Sequence, residues 1–149
     1  MAHPVVYVLN GPNLNLLGIR DPAVYGHETL TEIEESCLEE AELLELKIEF
    51  RQTNSEGELI DWVHEAREKA DGIVINAGGY SHTSIALMDA LSASELPVVE
   101  VHLSNIHRRE EFRHLSYVSR VARGVIVGLG GHGYELALAA MARLLPSGN

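Results

Sequence analysis

The stretch from Asn10 to Tyr25, NGPNLNLLGIRDPAVY, gathers residue types that handle protons. Asn13 and Asn15 carry side-chain amides, Arg20 a fixed cation and Tyr25 a phenol, with Gly and Pro between them. Amides can steady a developing oxyanion, and a phenol beside a cation can serve as a base. The stretch exceeds the roughly two to six residues usual between a strand and a helix. Such length marks a lid or binding loop, although a polar surface loop would carry the same residues.

Two more groups have chemical potential. Asn76, Gly78, Gly79, Ser81 and His82 follow the apolar run GIVIN. Glu100, His102, Ser104 and a run of arginines belong to the segment that begins PVVEV. Each residue has a local explanation: Ser81 or Thr83 could cap the next helix, and a lone His82 is ordinarily structural. Arg108, Arg109, Arg113, Arg120 and Arg123 crowd one region. They could hold a small anion such as a carboxylate, which arginine grips in two places. They could equally pair with Glu110 and Glu111.

The elements must bring these groups together. Val5 to Leu9 and Gly72 to Asn76 read as strands buried on both faces, and Pro97 to Val101, ending at His102, as a third. Lys47 to Thr53 alternates and suits a position nearer an edge; Arg123 to Gly128 supplies a fifth strand. Between them lie helix patterns. Thr29 or Thr31 opens one, each with a glutamate three residues on, and Ser55 opens the next with Glu58 in the same relation. Leu30, Ile33, Cys37, Leu38, Ala41 and Leu44 mark the inner face of the first, and Leu59, Ile60, Val63 and Ala66 that of the second. Ile85, Met88 and Leu91 are expected inside the third, and Leu136, Ala137, Ala140, Met141 and Leu144 inside the last. Strand and helix alternate, so the expected fold is α/β: a flavodoxin-like five-stranded parallel sheet with helices on both faces. Ligands bind beyond the carboxyl ends of such strands, where all three polar groups fall.

Bulk properties narrow the classes. The chain has 149 residues, 46% of them hydrophobic, which suits a single catalytic domain over 1–149. The net charge of -11 argues against nucleic acid or an anionic membrane as partner. No apolar run approaches the ~20 residues of a membrane span, and no basic segment precedes the first apolar run as in a signal peptide. The single Cys37 cannot form an internal disulfide and fits a reducing cytoplasm. Gly128, Gly130 and Gly133 match G-x-G-x-x-G, but the following strand and acid of a dinucleotide fold are missing, so close helix packing is the expected role. No H-E-x-x-H, Walker lysine loop or G-x-S-x-G elbow occurs.

The longer motifs LNGPNLNLLGIRDPAVYG, INAGGYSHTSIAL, VEVHLSNIHRREEFR and GVIVGLGGHGY resemble those of type II 3-dehydroquinate dehydratases, from about Leu9 to Leu145. The resemblance implies loss of water from 3-dehydroquinate to give 3-dehydroshikimate through an enolate, without metal or organic cofactor. It implies Tyr25 as general base, Arg20 as the cation that keeps it ionised, and Asn13 as support for the enolate oxygen through a water. His102 would protonate the departing hydroxyl, oriented by Glu100. Asn76, His82 and Arg113 would grip substrate hydroxyls, and Leu103 and Ser104 the carboxylate. Asp89 would complete the site from a neighbouring subunit. Family members are homo-oligomers, trimers that build dodecamers.

The magnitudes allow this. A free phenol ionises near pH 10, and lowering that by two to three pH units takes about 3–4 kcal/mol. One guanidinium about 4 Å away, at an effective dielectric of about 20, supplies about 4 kcal/mol. The only lysines, Lys47 and Lys69, sit at the start of a strand and the end of a helix, which disfavours an imine route. Two other classes share the pattern: a flavodoxin-like module holding a phosphate or nucleotide, and an interaction protein with acidic helices as assembly surfaces.

Overall fold

The computed structural model describes residues 2–146. Among them, five parallel strands form one sheet: β1 (Val5–Asn10), β2 (Lys47–Gln52), β3 (Gly72–Asn76), β4 (Val98–His102) and β5 (Gly124–Val127), in the order β2-β1-β3-β4-β5. The register sets Asn10 beside Gln52 on one side and Asn76 on the other. Strand order reverses at β1 and β3, which opens a crevice beyond their carboxyl ends. The α/β expectation therefore holds, with β2 and β5 as the edges.

Four helices cover the sheet, α2 (Leu30–Leu43), α3 (Glu56–Lys69), α4 (Ile85–Ser94) and α5 (His132–Leu144), and a single helical turn, α1 (Pro22–Tyr25), lies in the loop after β1. α2 and α5 share one core with Val6, Val8 and Val74. α3 and α4 share the other with Tyr7, Leu9, Ile73 and Ile75. Successive strand residues point to opposite faces, so β1 and β3 need apolar side chains at every position, as their sequences have. Leu59, Leu87 and Leu91 are buried, each adding up to about 1.5–3 kcal/mol of burial energy.

Local chemistry fixes the helix starts. Thr29, rather than Thr31, caps α2, and its capping box with Glu32 is complete. Ser55 accepts from Glu58 N–H at the start of α3, but its own N–H goes to Thr53 Oγ1 at 3.0 Å. Ser84 caps α4, in place of the expected Ser81 or Thr83. The inner faces also need correction. α4 buries Leu87, Ala90 and Leu91 and leaves Ile85 exposed; α5 buries Tyr134, Ala137, Leu138 and Met141 and leaves Leu136 exposed; Leu38 of α2 is exposed. IALMDAL and ELALAAM are apolar on several sides, so periodicity alone does not choose the face.

The long first loop is more regular than its sequence suggested. A 3-10 turn spans Leu14–Leu16, and α1 starts with Pro22 in its first turn. Leu14 and Leu17 are buried in the α2 and α5 core and pin the loop's first half. Only one of the three late glycines does the packing expected of them. A Cβ on Gly133 would crowd Ile126 and Val101, whereas Gly128 and Gly130 have φ of 82° and 59° and shape the turn before α5. Among the described residues, no helix is long and apolar enough to cross a membrane.

Candidate active site

A cavity of about 170 Å3 lies at the carboxyl rim of the sheet. The first loop contributes Asn13, Arg20 and Tyr25; the last residue of β3 is Asn76, and the turn after it contributes His82; β4 and its continuation contribute His102, Leu103, Ser104 and Arg113. Two of the residues that the resemblance assigns do not line it, nor do Asn15 and Ser81. Glu100 is fully buried and bonded to His102. Asp89 is exposed on α4, and this chain alone does not bring it to the cavity.

Tyr25 has two cations against its ring. The Arg20 guanidinium stands 4.7 Å from the ring centre and that of Arg109 5.1 Å. Arg20 comes from the same loop, whereas Arg109 belongs to the segment after β4. The sequence had marked Arg109 only as one of an arginine cluster. Two members of that cluster face the cavity, and the expected pairing with Glu110 is present. Arg109 and Arg113 line the cavity. Arg113 Nε also donates to Glu110 at 2.6 Å, and Arg109 Nη1 donates to Ser104 Oγ at 3.2 Å.

The two cavity histidines have assignable protons. His102 Nε2 bonds Glu100, and a carboxylate only accepts, so Nε2 carries hydrogen. Its Nδ1 has no hydrogen-bond partner among the described residues. His82 Nδ1 lies 2.8 Å from the Leu115 carbonyl and must likewise donate. Burial holds the His82 imidazole below its ordinary range, outweighing that carbonyl, so the ring is neutral with Nε2 as an acceptor. The two rings stack with centres 6.2 Å apart and planes at 21°.

Glu100 is a buried carboxylate with three donors. His102 bonds one oxygen, Ser116 Oγ bonds the same oxygen at 2.6 Å, and Ser119 Oγ bonds the other. Burial pushes its carboxyl up, but these bonds and the His102 imidazole together hold it below the usual range. It is therefore an anion that can orient His102.

Supporting residues fix the amides. Asn13 is left-handed, φ 69°, and its N–H donates to Asn54 Oδ1 at 3.0 Å. Asn76 donates to Tyr134 Oη at 3.0 Å and accepts from Gly78 N–H at 3.2 Å. Tyr134, fully buried on α5, donates its own hydroxyl hydrogen bond to Asn10 Oδ1 at 2.6 Å. Burial pushes that phenol up, so it stays neutral. Sequence reasoning missed Tyr134, Ser116, Ser119 and Asn54. They are distant in the chain from the groups they hold, and no spacing rule links them.

The cavity is thus lined with cations, amides and imidazoles inside a chain of net charge -11, which suits a small anion carrying hydroxyl groups. Comparison with known proteins agrees. The family described as Dehydroquinase class II matches residues 4–142. The chain belongs to the class II dehydroquinase family. A relative from Pseudomonas putida named 3-dehydroquinate dehydratase 2 is 63% identical over 142 residues, covering 95% of each chain. 3-dehydroquinate dehydratase 1 of Agrobacterium fabrum is 58% identical, covering 92% of this chain and 94% of its own. The type II dehydroquinase of Propionibacterium acnes superposes with a TM-score of 0.90 at 46% identity, covering 94% of this chain and 97% of its own. That of Butyrivibrio crossotus gives 0.92 at 43%, covering 96% and 99%. The class II dehydroquinases therefore share both the sequence and the strand frame on which this cavity is built.

Proposed function

We propose that the chain dehydrates 3-dehydroquinate to 3-dehydroshikimate through an enolate, and that the cavity residues divide the work as follows. Tyr25, with Arg20 and Arg109 against its ring, takes the proton from C2 beside the ketone. The electron pair left on carbon delocalises into the carbonyl, and Asn13 steadies the resulting oxyanion through a water. The enolate then expels the hydroxyl on C1, which leaves as water with a proton that His102, taking part as imidazolium, gives from Nδ1 while Nε2–H stays on Glu100. Glu100, held as an anion, orients that imidazole. His82 Nε2 accepts from a substrate hydroxyl, with Asn76 and Arg113 gripping others. Ser104 Oγ already accepts from Arg109, so its own hydrogen is free for the substrate carboxylate, beside the backbone of Leu103. Proton transfer through solvent returns the base and the acid to their starting states.

The observation that carries this reading is Tyr25 between two guanidiniums, on the same cavity as the Glu100–His102 pair. Neither lysine lines that cavity, so an imine route has no nucleophile there. Asp89, exposed on α4, acts in the site of a neighbouring copy, within trimers that build a dodecamer.

The test is a spectrophotometric assay of the purified protein with 3-dehydroquinate, following the conjugated product. The wild-type protein should turn over, and Tyr25→Phe should fold but lose nearly all turnover. Substantial residual activity in that variant would reject the phenol as base.

A further inference from the structure

We propose that Leu115–Ser119 is a positioning bracket that fixes, from behind, the ring orientation and proton placement of both cavity histidines. The inference rests on the role given to His102 above. Each of four residues in this short segment makes one of the necessary bonds. The Leu115 carbonyl takes the His82 Nδ1 hydrogen at 2.8 Å. Ser116 Oγ donates to Glu100 Oε2 at 2.6 Å, and Ser119 Oγ donates to Oε1. Tyr117 N–H donates to the Ser81 carbonyl at 2.7 Å, which ties the bracket to the turn that carries His82. Ser119 N–H also reaches Ser116 Oγ at 3.4 Å, so the serines act as one unit. Val118, fully buried in the α3 and α4 core, anchors the segment.

Neither serine lines the cavity. They act through Glu100 and are positioning residues. A buried carboxylate that loses one hydrogen bond to its charged form becomes easier to protonate by about one to two pH units. Once protonated, it no longer holds the His102 Nε2 hydrogen as an anion would, and the imidazole loses its fixed tautomer. The active form has Glu100 ionised, so activity falls as pH drops through its titration. Removing a serine donor raises that point, and the acid limb moves to higher pH. Along the sheet, Glu100 is flanked by apolar Ile75 and Val125. The titratable and charged groups near the pair are His82 across the stack and Arg20, Tyr25, Arg109 and Arg113 around the cavity, and the serine changes leave all of them in place.

The experiment measures kcat and KM for 3-dehydroquinate against pH in wild type, Ser116→Ala, Ser119→Ala and Ser119→Thr. The protonation of both imidazoles is followed by 15N NMR without substrate. Each alanine variant should lose about ten- to a hundredfold in kcat, with KM little changed. Its acid limb should rise by about one pH unit, the lower end of the shift above. Ser119→Thr keeps the hydroxyl and should restore both. An unmoved acid limb, a loss mainly in KM, or a threonine variant as impaired as the alanine would overturn the bracket. Ser119 is only partly buried, so its pair of variants decides the matter even if Ser116→Ala fails to fold. If the wild type does not turn over 3-dehydroquinate, the proposed function fails instead. The imidazole spectra then decide the bracket alone: altered His102 tautomer populations in Ser119→Ala uphold it and unchanged ones overturn it.

Discussion

In the proposed mechanism, Tyr25 and its two guanidiniums decide the chemistry. Each guanidinium stands about 5 Å from the ring centre, within reach of a cation–π attraction of roughly 0.5–2 kcal/mol. The ring thus meets two cations, where the sequence reading had named one. Arg20→Ala and Arg109→Ala should each lower kcat by about tenfold or more, a change worth about 1.4 kcal/mol. Arg20→Lys should recover only part of it, because an ammonium cannot lie flat against the ring as a guanidinium does. Steady-state kinetics would check this, and an unchanged kcat in Arg109→Ala would remove the second cation from the mechanism. The first pair was legible because Arg20 and Tyr25 share one loop. Arg109 was not, since Arg108 and Arg109 are adjacent and only the fold turns one to solvent and the other to the cavity.

The strand ends carried most of what could be read at the level of elements. Polar residues at the ends of β1, β3 and β4 marked the rim correctly, because buried parallel strands announce themselves as unbroken apolar runs. Helix faces were less legible where α4 and α5 are apolar on several sides. Contacts that cross elements were invisible. One of these lies on the opposite side of the sheet from α5. Glu65 of α3 accepts from Arg51 of β2 at 2.6 Å and from Tyr7 of β1 at 2.5 Å. The Arg51 bond, then that from Tyr7, holds the Glu65 carboxyl at about 2, while burial and Glu65 push the Tyr7 phenol up to about 12. Because the folded carboxyl lies below its ordinary value of 4.5, the unfolded chain takes up the proton first on acidification. The contribution is therefore present above about pH 4.5 and fades as pH falls toward 2. Urea unfolding should show Glu65→Gln less stable than wild type at neutral pH, with the gap narrowing across that window. A gap that does not change with pH would assign the effect to packing.

For the whole molecule, charge is divided between an acidic exterior and a cavity rim that gathers cationic side chains. Composition revealed the exterior, but the cavity's sign depends on which few arginines turn inward. The proposed assembly was the least legible level, because no residue pattern in one chain marks the face that a neighbouring copy would cover. Asp89, exposed on α4, provides the test. Co-expressed Asp89→Ala and Tyr25→Phe chains should form mixed oligomers more active than either variant alone, since some sites then join an intact phenol to an intact neighbouring carboxylate. No recovery would return Asp89 to a local role, and light scattering of the wild type would give the size of the assembly. One feature of the fold bears on how such a catalyst rests between turns. Arg20 is borne on the same ribbon as the phenol, while Arg109 waits on the far wall. A ribbon swung outward would carry off the base and one of its activators while leaving the other behind. Chemical readiness and enclosure would then arrive in a single movement, and an empty, open molecule would have no armed base to spend on stray ketones.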